Sequence, residues 1–210
     1  MRQGFQNNVT DHVREQFGIY LLVIFIFIMG ITVGAFSVRT LGEGQVKELN
    51  EYFYGFLDSL TEQQTMNQGL VLQKSLIQNG KYILALWLCG VVFFGFLPAL
   101  GFIFYRGFTI GFTVGFLAEQ NAMRGILFAA GAVLPQNLLY VPVTMVAGTL
   151  AVSFSLLLLR QRLSKRSIPF GAYFFNYTLA MVVVGLALAT GSLVEAIITP
   201  VFMRAVVSLL

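Results

Sequence analysis

Residues 19–38, Ile19 to Val38, form an apolar run without a single charge. As a helix this run is about 30 Å long, the thickness of a bilayer's hydrocarbon core. Further apolar stretches follow at 82–105, 107–122, 125–159 and 171–194. Only 10% of the 210 residues are charged, against about 25% in a soluble domain. So few charges cannot cover a water-facing surface. The fold class expected is an all-α integral membrane protein with about five transmembrane helices. A signal peptide is the rival reading of the first run, through Ala35-Phe36-Ser37, but the run exceeds the usual ~7–15 residue core. A retained anchor is expected, with Gly30 and Gly34 as one small-xxx-small pair on it.

Residues 1–18 are polar and are read as a cytoplasmic segment; Thr10 or Asp11 caps a short interfacial helix there. Residues 19–210 are read as one polytopic membrane domain. Within it, 39–80 is the only long hydrophilic segment. Val46, Leu49, Phe53, Phe56, Leu57 and Leu60 share one helical face, and Leu70–Leu72 with Leu76 and Ile77 make a second apolar cluster. Two extracytoplasmic amphipathic helices are expected, on the membrane surface or folded over the bundle. Pro98 should kink the span 82–105, and Arg106 should end it. The cations Arg2, Arg14, Arg106 and Arg160–Arg166 then mark the cytoplasmic side, which puts the N-terminus inside and the C-terminus outside. The apolar tail 195–210, broken by Pro200 and Arg204, is not read as a further span.

Gly107, Gly111 and Gly115 form a continuous GxxxGxxxG, flanked by a ridge of Phe108, Phe112 and Phe116. Glycines at this spacing bare one face of backbone, so another helix can approach closely. Packing within one chain and a homodimer seam are both open. Further on, Pro135 and Pro142 bracket the carboxamides Gln136 and Asn137, so the helix should be broken or kinked near Pro135. The amides either satisfy backbone groups freed by the proline or line a polar cavity. Glu119 and Arg124 are read as an interfacial pair. Glu195 follows the last span directly and becomes a functional candidate only if it lies deeper.

The chain has one cysteine, Cys89, and one histidine, His12. An internal disulfide is excluded, a metal site is not expected, and Cys89 reads as a small apolar side chain. The scattered cations do not form a nucleic-acid surface. No phosphate-cradling loop is present, and no serine or cysteine has a nearby base. No enzyme and no cofactor are expected.

Three stretches, Ala85-Leu86-Trp87-Leu88, Arg106 to Leu117 and Val133-Leu134-Pro135-Gln136-Asn137, resemble the stage II sporulation protein M family. The resemblance covers nearly the whole chain. It implies a non-enzymatic membrane scaffold in endospore formation, working at the septum and the engulfing membrane. It also implies partners, stage II sporulation proteins D and P, which degrade septal peptidoglycan. Phe53, Phe56 and Leu57 are the expected partner anchors on the amphipathic segment. More distant relatives have Pro-His-Gly in place of Pro135-Gln136-Asn137 and look permease-like, so a transporter-like subunit is the alternative.

Overall fold

The computed structural model of the protein describes residues 2–61, 68–164 and 170–207, with side chains placed for 17–53, 55, 69–119, 136–163, 170–193 and 195–196. Helix α1 (Arg2–Ser37) ends in a 3-10 turn (Val38–Thr40). Helices α2 (Glu43–Thr61), α3 (Gln68–Val91), α4 (Phe96–Ser164) and α5 (Phe170–Val207) follow. No strand occurs among the described residues. Four helical stretches are long and apolar enough to cross a membrane: Phe17–Thr40, Phe96–Glu119, Gln136–Leu163 and Phe170–Leu193. Helix α3 packs against α4 and α5 as a fifth member of the bundle. The expectation of an all-helical membrane protein with about five spans holds.

Helix α4 has 69 residues. Straight, it would reach about 100 Å, yet its two ends lie side by side. The Phe96 N–H donates to Ser155 Oγ at 2.9 Å. The Arg106 guanidinium stands over the Tyr140 ring. A methyl group at Gly148 would run into Ile103 Cδ1. The chain therefore reverses between Glu119 and Gln136, and the two apolar arms run antiparallel. The span expected after Pro135 begins at Gln136. The backbone at Pro135 is helical, and its side chain lies outside the described residues.

Two expected boundaries are corrected. No single helix covers 82–105; the chain turns at 92–95, where Val92 N–H donates to Cys89 O and Gly95 N–H to Val92 O. A side chain at Gly95 would collide with Cys89 O, so the turn needs glycine. Pro98 then falls in the first turn of α4, where its missing N–H would have no helical partner anyway. It starts a helix instead of kinking one. Likewise 70–77 is not a separate amphipathic helix but the beginning of α3. Gly80 alone, costing about 1 kcal/mol relative to alanine, does not break it.

The glycine strip has an occupant. A methyl at Gly107 would strike Phe27 O, one at Gly111 would strike Ile31 O, and one at Gly115 would stand 3.0 Å from Ala35 Cα. Reciprocally, Gly30 faces Phe104 O and Gly34 faces Phe108 O. Two bare backbones, one from α1 and one from the first arm of α4, interlock in parallel. Of the two readings of the strip, the structure realises packing within the chain. A second copy has no access to it while α1 is there. Beside it, Phe104, Phe108 and Phe112 stack at 6.5 and 6.0 Å, whereas Phe116 turns inward.

The core lies toward the end of the bundle where α3 turns into α4. Val23, Leu86, Ala99, Ile103 and Val152 are fully buried there. Phe154 stacks flat on Tyr177 at 4.3 Å. Ser155, also fully buried, donates to Val92 O at 2.8 Å while accepting from Phe96. The hydroxyl thereby satisfies Phe96 N–H, which the turn leaves without a helical partner, and gives Val92 O a second donor beside Gly95 N–H.

Candidate functional site

Following the contacts along each helix gives a direction to every pass. Helix α1 and the first arm of α4 run one way; α3 and the second arm of α4 run back. Arg39 Nε pairs with Glu119 Oε1 at 3.0 Å at one end of the bundle. The exposed cations Arg160 and Arg162 lie near the other, where Arg162 covers the Phe93 ring. The functional features concentrate toward the Arg39–Glu119 end.

There the helices part around a cavity of about 370 Å³. Helix α3 lines it with Lys74, Ser75, Gln78 and Asn79, the first arm of α4 with Arg106, Thr109 and Thr113, the second arm with Gln136, Asn137 and Tyr140, and α5 with Glu195. Three buried side chains brace one wall. Asn79 Nδ2 donates to Ser192 Oγ at 3.0 Å. Tyr140 donates to Glu195 Oε2 at 2.6 Å and stands 3.2 Å from Ser192 Oγ. Ser75 also donates to Glu195 Oε2. The Tyr140 ring fits because Gly191 has no side chain; a Cβ there would stand 2.7 Å from Cε1.

Arg106 is the central correction to the sequence reading. It does not end a span at a membrane face. It stands ten residues into the Phe96–Glu119 stretch, about 15 Å along the helix. Its guanidinium lies between the rings of Tyr82 and Tyr140, at 5.6 and 5.4 Å from their centroids. The π-faces offset part of the cost of placing a cation at membrane depth. Among the described residues no carboxylate pairs with it, and no acceptor takes its N–H groups.

Gln136 and Asn137 line the cavity. The Gln136 Oε1 atom is buried without a hydrogen-bond partner. Glu195 lies just past the Phe170–Leu193 stretch, yet it faces inward and closes the cavity with Ser75 and Tyr140. Glu119 pairs with Arg39; Arg124, its expected partner, lies outside the described side chains.

The expected partner anchors fare differently. Phe53 is not presented outward: its ring meets Phe116 edge-on at 6.3 Å, in a small core with Val38, Leu49 and Leu117. On that helical face, Leu49 and Phe53 turn toward the bundle. Phe56 and Leu57 lie in α2, but their side chains are outside the described residues. What α2 exposes is Tyr52, at 73%, and a shallow groove between Leu41, Val46, Asn50 and Gly55.

Sequence reasoning missed Lys74, Ser75, Asn79, Tyr140 and Ser192 as site residues. The signal was present. Lys74 with Gln78, and Ser75 with Asn79, recur four apart, so they form a polar stripe on an otherwise apolar helix. Ser192 and Glu195 are three apart on α5. No metal-binding cluster occurs among the described residues.

Comparison with the curated proteins and with solved structures finds no match. The family model for stage II sporulation protein M matches residues 23–200. That range takes in the interlocked glycines of both helices and every residue that lines the cavity. The chain belongs to the stage II sporulation protein M family of sporulation membrane proteins.

Proposed function

We propose that the protein is a non-enzymatic membrane scaffold that holds peptidoglycan-degrading enzymes at the engulfing septum, with stage II sporulation proteins D and P as its partners. The observation that carries this reading is α2. It leaves the bundle at the Val38–Thr40 turn and is pinned back onto it by Phe53 and Leu49. An amphipathic helix held this way offers a fixed surface and no moving chemistry. Arg160 and Arg162, at the opposite end, favour the cytoplasm for that end. The N-terminus is then cytoplasmic, and α2 lies outside, where peptidoglycan is.

The test is co-purification of the two hydrolases with variants of the exposed face of α2. Tyr52→Ala together with Gly55→Trp, which fills a groove with open space at Gly55, should abolish capture at an unchanged unfolding temperature. Capture equal to that of the parent protein would remove α2 as the docking element.

A transporter-like subunit is favoured by one observation, the polar cavity beside Gln136 and Asn137. Against it, the bundle closes beneath that cavity on Val23, Leu86, Ile103 and Val152. This conformation has a recess with a floor. Reconstituted vesicles that released a trapped solute only in the presence of the protein would favour the conduit.

A further inference from the structure

The cavity beneath Glu195 has an unbalanced chemistry that the scaffold reading does not use. Its lining carries two cations, Lys74 and Arg106, and one carboxylate. Glu195 Oε2 is already held by Tyr140 and Ser75. Arg106 has no hydrogen-bond acceptor among the described residues, and its contacts there are with the rings of Tyr82 and Tyr140. Its N–H groups are therefore donors without a use, and they are matched in geometry to a carboxylate or phosphate. Thr109 and Thr113 donate to helix carbonyls at 2.9 and 2.8 Å, so they present only oxygen lone pairs. Gln136 Oε1 is buried without a donor. A buried group of this kind is destabilising unless something supplies the missing bond.

We propose that this cavity binds a phosphate-type oxyanion that carries its own hydrogen-bond donor. The negative oxygens meet Arg106 and Lys74. A hydroxyl beside or on the phosphate donates to Gln136 Oε1, and where the ligand has a second hydroxyl that one donates to a threonine oxygen. Two sources share this chemistry: the head group of phosphatidylglycerol, and a free phosphate such as hydrogen phosphate or glycerol phosphate. A volume of about 370 Å³ falls at the small end of ligand sites, roughly 300–1,000 Å³, and suits a head group or a small anion. The site does not depend on how α2 engages partners.

The experiment uses the full chain in nanodiscs and reads thermal unfolding through Trp87 fluorescence. One arm replaces phosphatidylcholine with increasing phosphatidylglycerol; the other adds phosphate or glycerol phosphate to neutral discs. Stabilisation in the lipid arm alone identifies the head group. Stabilisation in the soluble arm, with or without the other, identifies the free anion chemistry. Arg106→Gln should abolish the response. Lys74→Gln, at an exposed position that does not threaten folding, should weaken apparent affinity about tenfold, the loss expected for one charged hydrogen bond. Lys81→Gln, an exposed cation outside the cavity, should respond like the parent protein. No stabilisation in either arm overturns the proposal. So does a Lys74→Gln response equal to that of the parent, or an equal loss in Lys81→Gln.

Discussion

Arg106 stands at membrane depth against two tyrosine rings, one from α3 and one from the returning arm of α4. Neither ring is near it in sequence, so the usual reading of an arginine between two apolar runs, as a marker of the membrane face, is the reasonable one and fails. Ser155 is a second such residue: its sequence context is a plain apolar run, and its role comes from a turn some sixty residues earlier. Ser155→Ala leaves Phe96 N–H without its acceptor, while Val92 O keeps the Gly95 N–H, and should cost about 1–3 kcal/mol. Denaturant unfolding in detergent checks this, and Ser155→Thr should recover part of the loss. Gly191→Val should displace the Tyr140 ring and remove one of the two donors of Glu195, leaving Ser75. A loss of phosphate-dependent stabilisation without loss of helicity is the expected outcome.

At the scale of elements, the glycine repeat was legible as a packing face from its spacing alone. Its partner was not, because Gly30 and Gly34 read as a minor pair on a helix far away in sequence. What matches them is register, since both helices bare their backbones over the same few turns. Gly111→Leu forces a branched side chain into Ile31 O and should prevent α1 from docking. A fall in folded yield, with no change in oligomeric state for what folds, is the expected result on size-exclusion chromatography. The break at 92–95 was hidden for a different reason: Val92-Phe93-Phe94 is as apolar as the helices around it. Gly95 followed by Pro98 was the available clue. Helix α2 was legible in its periodicity, but the sequence could not say whether the apolar face looks to a partner or to its own bundle. Phe53→Ala removes the contact with Phe116 and should speed amide exchange across 43–61 while α3 and α5 keep their protection. Equal exchange in the two proteins would show that Phe53 does not hold the helix.

For the whole molecule, long apolar runs and scarce charge were sufficient to establish the membrane class. The alternation of passes follows from which side chains meet: Ser75 with Tyr140, Trp87 with Thr178, Phe96 with Ser155. The polar recess was foreseen only as one of two readings of Gln136-Asn137, because its walls come from four separate helical segments. Single cysteines at 52 and 160 in a Cys89→Ser background test the proposed orientation. Position 52 should react with an impermeant maleimide from outside intact cells, and 160 only after lysis. The reverse pattern would turn α2 toward the cytoplasm and away from peptidoglycan.

The parallel clasp of α1 with the first arm of α4 has a consequence for biogenesis. A chain inserted from its N-terminus would release α1 into lipid well before Gly107–Gly115 has been synthesised. For that interval the bare strip of α1 has only acyl chains against it. Folding therefore cannot finish in the order of synthesis; it has to wait for α4, then close backward over a helix made well before it.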